Sequence, residues 1–268
     1  MKKVAFLTTT FPMEESFLYD FFDSLKEQTY KLFDVIVVND GYQNFKEIKT
    51  NYDEYLNIVE LQYSNTPAKN REHGINYCID ANYDILIFGD SDDYFDKKRI
   101  EISIELLRKN DIVVNDLSLF DENGIYENRY ISNRIENNSI VDFEFIKDKN
   151  IFGLSNTAIL LKDFENIEIP DNLIAVDWYI FSLLLLNNKK AIFTNKTISF
   201  YRHHQGNIVG LKSLDLESLK RGLDVKKRHY EKLNFIKHIF NQEIERIDGI
   251  ELKLKEKNIS FPLWWELI

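Results

Sequence analysis

The sequence predicts an α/β fold, a sheet laid between helices, and three observations carry that expectation. Short β-rich runs alternate with segments of helical period from the first residues onward. One strongly apolar run, Ile85-Leu86-Ile87-Phe88, ends abruptly in an acidic cluster, as strands that present a ligand site often do. Hydrophobic residues make up 44% and aromatic residues 14% of the chain, enough to build a sizeable core. At 268 residues the chain fits one large α/β domain, or one such domain with a smaller C-terminal appendage.

In order along the chain, strands are expected at residues 4–9, 34–39, 57–63 and 84–89. The start, Met1-Lys2-Lys3 followed by Val4-Ala5-Phe6-Leu7, is charged like a signal peptide, but its apolar run is too short for one and reads as the first strand. Phe17, Leu18, Phe21, Phe22 and Leu25 recur at helical spacing, so a helix there should lay one face on the sheet. Pro67 opens a third helix, because proline suits the first turn, where its missing N–H would be unpaired anyway. Residues 97–110 read as a helix with Ile100, Ile104 and Leu107 inward, and 111–120 as a strand.

The regular alternation ends at a polar stretch, 121–138, read as a loop or loose hairpin and as an internal boundary. Beyond it come a strand at 154–161, a helix at 177–187, and strands at 191–194 and 197–203. From Leu214 to about Leu254 the pattern is helical, with Gly222 and Gly249 as candidate interruptions. The expected division is residues 1–210 as the catalytic domain, with 1–120 and 121–210 as its halves, and 211–268 as a C-terminal helical extension with an aromatic tail. The tail, Phe261 to Ile268, and the apolar stripe before it admit packing on the fold, pairing in a homodimer, or peripheral contact with a membrane.

A net charge of -10 excludes non-specific nucleic-acid binding, which relies on clustered Lys and Arg. The single cysteine, Cys78, forbids an intrachain disulfide and reads as core packing. The longest other apolar run, 179–186, is about half of a bilayer-spanning helix, so no transmembrane helix is expected. No glycine-rich dinucleotide or P-loop motif and no Gly-x-Ser-x-Gly occurs, which disfavours oxidoreductases, P-loop enzymes and α/β-hydrolases.

The strongest chemical signal is Asp90-Ser91-Asp92-Asp93, three carboxylates within four residues at a strand end. Like charges this close repel, and a divalent cation would offset the repulsion while leaving coordination positions for diphosphate oxygens. The same cluster would also serve as a solvated turn capping the next helix, although capping needs only one acid.

With this cluster in view, the sequence resembles the family 2 glycosyltransferases, whose GT-A fold, a nucleotide-sugar-binding mixed sheet flanked by helices, carries an Asp-x-Asp motif after a strand. Thr8-Thr9-Thr10-Phe11 sits where such enzymes often have Pro-Thr-Tyr-Asn, and Val37-Val38-Asn39-Asp40-Gly41 resembles their Val-Asp-Asp-Gly strand end. Residues 65–74 resemble the Ala-Arg-Asn-x-Gly segment with the basic residues redistributed. Val176-Asp177-Trp178 resembles a Glu-Asp-x element at a helix start, and Tyr201-Arg202-His203-His204 a Tyr-Arg-x-His element.

The resemblance implies Thr9, Asp40, Arg71, Asp90 and Ser91 at the donor nucleotide, and Mn2+ or Mg2+ at Asp90, Asp92, Asp93 and His204, with His203 an alternative to His204. It implies Asp177 as the base of an inverting transfer, although an N-cap explains that residue equally on its own. No Gln-x-x-Arg-Trp element occurs, so one sugar is transferred rather than a chain. The implied donor is a nucleoside diphosphate sugar, UDP-linked, and the acceptor a glycan or lipid-linked glycan in surface polysaccharide synthesis. The implied setting is cytoplasmic, at the inner face of the membrane. A sugar nucleotidyltransferase, or a non-catalytic carbohydrate-binding or scaffold protein that kept the fold, stands as the alternative.

Overall fold

A computed structural model describes residues 2–162, 164–204 and 216–248. Its centre is a mixed sheet with strands in the order β3-β2-β1-β4-β9-β6-β10-β5. The first half is a parallel unit: β1 (Val4–Thr10), β2 (Asp34–Asn39), β3 (Asn57–Gln62) and β4 (Ile85–Phe88). β9 (Thr157–Leu160) then runs antiparallel between β4 and β6 (Ile112–Asp121), and β10 (Ala191–Arg202) returns parallel to β6.

The parallel strands are buried on both faces, and the period-two alternation of their side chains divides the core. Val4, Phe6, Val35, Val37, Ile85 and Ile87 point to the face covered by α1 (Glu15–Lys26), α2 (Phe45–Tyr52) and α4 (Arg99–Leu106). Ala5, Leu7, Ile36, Val38, Leu86 and Phe88 point to the other, where α3 (Pro67–Asp80) and α6 (Val176–Leu186) pack. α3 begins as its sequence directs, with Pro67 in the first turn and the Thr66 hydroxyl accepting from Lys69 N–H. Cys78 is buried in this core.

Several elements differ from expectation. The acidic cluster leads into a two-residue strand, β5 (Tyr94–Phe95), which pairs antiparallel with β10; so short a strand leaves no periodicity to read. The 121–138 segment, by contrast, begins as one of the two forms expected of it, a hairpin, with β7 (Gly124–Glu127) against the end of β6. The expected strand at 154–161 opens instead with a 3-10 turn, Leu154–Asn156. The two strands expected at 191–194 and 197–203 are one, β10, with a register shift between Thr194 and Ile198. Two short elements precede β9: β8 (Ile140–Val141), paired with β10, and α5 (Phe143–Ile146).

The C-terminal helical pattern resolves into α7 (Leu216–Lys237) and α8 (Asn241–Asp248). Gly222 does not interrupt α7; the break falls near His238, whose backbone is left-handed (φ 52°). Val225, Tyr230, Leu233 and Phe240 are buried in the same core as the sheet. Gly249 and the aromatic tail lie outside the described residues. Among the described residues no helix is long and apolar enough to cross a membrane.

Candidate active site

β1 has β2 on one side and β4 on the other, so the chain order reverses there, and the carboxyl ends of these strands frame a crevice of the kind that takes ligands in α/β sheets. The acidic cluster follows β4 into this crevice. Ser91 Oγ donates to Thr9 O (2.8 Å), which ties the cluster to the end of β1. Gly89 precedes it because any Cβ there would lie 2.6 Å from the Phe6 ring and 2.7 Å from Phe95.

The three carboxylates have separate surroundings. Asp90 faces Arg71 Nη2 from α3 at 3.4 Å, and burial lifts its carboxyl to about 6, with Arg71 opposing and Asp92 and Asp177 adding to the rise. Asp92 meets His204 Nε2 at 2.9 Å, both side chains retaining some access to solvent. Asp93 is fully buried, with one oxygen accepting from Arg202 N–H (2.7 Å) and the other from the Ser155 hydroxyl. Burial, then the neighbouring acids, push it well above the usual carboxylate range.

Beneath them lies Arg99, wholly buried between the rings of Phe95 and Phe6, its Nε on Asn115 Oδ1 (3.1 Å) and Nη2 on Phe88 O. Burial lowers it to about 9 against the pull of Asp93 and Asp90, so it is a cation at neutral pH and offsets part of the cluster's charge.

The expected set of four metal ligands is therefore not assembled. Among the described residues no three His, Cys, Asp or Glu side chains are grouped to hold a metal ion. Asp93 is occupied inside the fold and Asp90 is turned to Arg71, while Asp92 and His204 come together. Between the two histidines the structure separates the roles. His203 is buried with Nδ1 on the Tyr126 hydroxyl, whereas His204 reaches the acidic cluster.

Asp40 follows β2, and its carboxylate accepts from Asn70 Nδ2 on α3 (2.8 Å) and from the Ser64 hydroxyl, so it is held beside the helix that carries Arg71. Asn39, where the resembled motif has Asp, closes the turn by accepting from Tyr42 N–H (2.8 Å) and donating to Glu60 (2.7 Å). Thr9 contributes its carbonyl to Ser91.

Asp177 stands in the first turn of α6 and accepts from Trp178 N–H (2.8 Å) and Asn150 Nδ2 (3.2 Å). Burial raises its carboxyl, with these hydrogen bonds and then Arg71 opposing. Asp177 in turn acts on Asp90, so the two expected halves of the site share one electrostatic environment.

Three residues were not legible in the sequence. Ser155 Oγ accepts from Asp90 N–H (3.0 Å) while its hydroxyl serves Asp93, and Asn150, five positions earlier, holds Asp177; the 150–155 segment thus touches both acidic groups. Tyr201 is raised by burial and then by the charges of Asp93, Asp92, Asp90 and Asp177. For Tyr201 the signal was its place in the Tyr-Arg-His-His run; a serine and an asparagine in an Asn-rich loop carry none.

With this geometry in hand, comparison with known proteins is decisive at family level. The model of glycosyl transferase family 2 matches residues 9–165. This chain belongs to that family. The glycosyltransferase GlyA of Streptococcus pneumoniae serotype 4 is 27% identical over 210 residues, 72% of this chain and 30% of that protein, so the chain spans under a third of that relative. S. aureus TarS 1-349 in complex with UDP-GlcNAc superposes with a TM-score of 0.65 at 18% identity, covering 94% of this chain and 76% of that one. GalNAc-T7 with UDP, GalNAc and Mn2+ gives 0.53 at 10% identity, covering 76% and 44%. The family 2 fold expected from the sequence, a GT-A mixed sheet between helices, is the one observed. Asp177, His204 and α7 all lie beyond the segment that the family model matches.

Proposed function

We propose that the chain transfers a single sugar, with inversion, from a UDP-linked donor to a hydroxyl of a glycan or lipid-linked glycan. The observation that carries this is the crevice at the carboxyl ends of the parallel strands, where Arg71 Nη2 lies 3.4 Å from Asp90 and Asp92 meets His204 at 2.9 Å: a cation for phosphate beside a carboxylate cluster. UDP complexes among the structural neighbours support the choice of nucleotide.

In this reading Asp40 accepts the imide N–H of uracil and Arg71 exchanges Asp90 for a diphosphate oxygen. Asp92 and His204 offer a carboxylate oxygen and an imidazole nitrogen, and these two side chains would hold Mn2+ or Mg2+. When bound, the cation would supply charge neutralisation to the departing diphosphate. Asp177 removes the proton of the acceptor hydroxyl as its oxygen bonds to the anomeric carbon, and the bond to the diphosphate breaks with its electron pair going to UDP. The raised carboxyl of Asp177 suits it to this, since a more basic carboxylate takes the proton more readily. Surface polysaccharide synthesis at the inner membrane face is the setting that the family resemblance favours.

The test is calorimetric titration of UDP and GDP, with and without manganese, into the wild type, Asp92→Ala and Asp177→Asn. UDP binding that needs metal and Asp92 and persists in Asp177→Asn, which loses turnover, is the expected result. No metal-dependent binding of either nucleotide would overturn the donor site and favour a non-catalytic role.

A further inference from the structure

We propose that α7 braces the catalytic base, with His229 as a positioning residue that acts on Asp177 through Trp178. This rests on the reading of Asp177 as the base. Trp178 is fully buried, and its Nε1 donates to Ile146 O (2.8 Å). Its main-chain N–H donates to Asp177 Oδ1 (2.8 Å), so the backbone that the buried indole anchors at the start of α6 also holds the base carboxylate.

α7 holds Trp178 in place. The His229 ring lies parallel to the indole, 3.7 Å between centroids and 8° from coplanar, and Tyr230 meets it edge-on at 5.7 Å. The neighbouring Arg228, paired with Asp224 (2.8 Å), reaches Asn172 O at 3.4 Å. Consecutive residues of α7 therefore hold the chain on both sides of Asp177: Asn172, five positions before it, and Trp178, just after.

His229 is 1% exposed, and neither ring nitrogen has a hydrogen-bond partner among the described residues. Burial and the nearby Lys226 keep it neutral. Its contribution is therefore the flat face of its ring. A base displaced by even about 1 Å loses on the order of 100-fold in rate, so a brace at the first turn of α6 acts on turnover rather than on donor binding. α7 belongs to the enzyme's working parts although the family model ends before it.

The experiment measures UDP release from UDP-glucose, UDP-galactose and UDP-N-acetylglucosamine, with calorimetric UDP affinity, for His229→Ala, His229→Phe, Arg228→Ala and Asp177→Asn. The expected result is a kcat about 10- to 100-fold lower in His229→Ala with UDP affinity unchanged, largely restored by the flat ring of His229→Phe. Wild-type kcat in His229→Ala beside an inactive Asp177→Asn overturns the brace, as does a parallel loss of kcat and UDP affinity. Should His229→Ala not fold, Arg228→Ala decides: lowered kcat with intact UDP binding supports the brace and unchanged kcat overturns it. Full turnover in Asp177→Asn would instead sink the base assignment itself.

Discussion

Replacing Ser155 by alanine removes one oxygen from a fully enclosed position and leaves two groups without their partner. Asp90 N–H loses its acceptor at 3.0 Å, and Asp93, wholly buried, loses one of its two donors. The neutral bond contributes about 0.5–1.5 kcal/mol and the bond to a carboxylate about 1.5–3, so the loss should total about 2–4.5 kcal/mol. In a chain of this size that lowers Tm by roughly 4–8 °C. Asp93 should also become still harder to ionise, because the Ser155 hydroxyl is one of the groups that favours its charged form. Urea and thermal unfolding of Ser155→Ala beside wild type measure the first effect, and UDP calorimetry shows whether a loosened Asp90 weakens donor binding. A loss under about 0.5 kcal/mol, the range of ordinary surface substitutions, would refute the role assigned to this serine. A double-mutant cycle with Asp93→Asn should show non-additivity, since the two side chains touch.

Gly74→Ala places a Cβ 2.7 Å from Leu7 Cδ1 and 2.9 Å from Val38 Cγ2, where carbon atoms need about 3.5 Å, so Leu7 must change rotamer and the stiff Val38 side chain or α3 must give way. Overpacking outweighs alanine's better helix propensity by about 1 kcal/mol, and Arg71, carried on α3, should lose UDP affinity; urea midpoints and calorimetry read both. Asn76→Ala removes a paired donor and acceptor to the main chain of Ile167 (2.9 and 2.8 Å), on the strap that leads to α6, and amide exchange at Ile167 should accelerate at least about tenfold. On acidification His229 works against folding, because its folded pKa is well below 6.5 and the unfolded chain takes up the proton first. Its contribution is present above pH 6.5 and lost as pH falls, by about 1.4 kcal/mol per unit. Thermal melts from pH 7.5 to 5.5 should therefore decline more steeply in wild type than in His229→Phe. The raised carboxyls of Asp90, Asp93 and Asp177 act with the opposite sign in both proteins and cancel in the difference.

Much was determined by the sequence alone, wherever the code is local. Short β-rich runs marked the parallel strands to within a residue or two, and Pro67 opened α3 at the expected residue. The abrupt end of β4 in Asp90-Ser91-Asp92-Asp93 marked the site, because an apolar strand followed by clustered acid is visible without knowing what surrounds it.

The division of labour within that cluster was decided only by tertiary structure. Asp92 and Asp93 are adjacent and chemically identical, yet one meets His204 from 112 positions away and the other Ser155 from 62 positions away. Likewise His203 and His204, adjacent just after β10, meet different partners, Tyr126 and Asp92. The His229 ring against Trp178 is set by α7, a helix that packs from elsewhere in the chain. A side chain's charge state and role follow from what surrounds it, and for Asp92, Asp93 and His229 the deciding neighbour is far away in sequence.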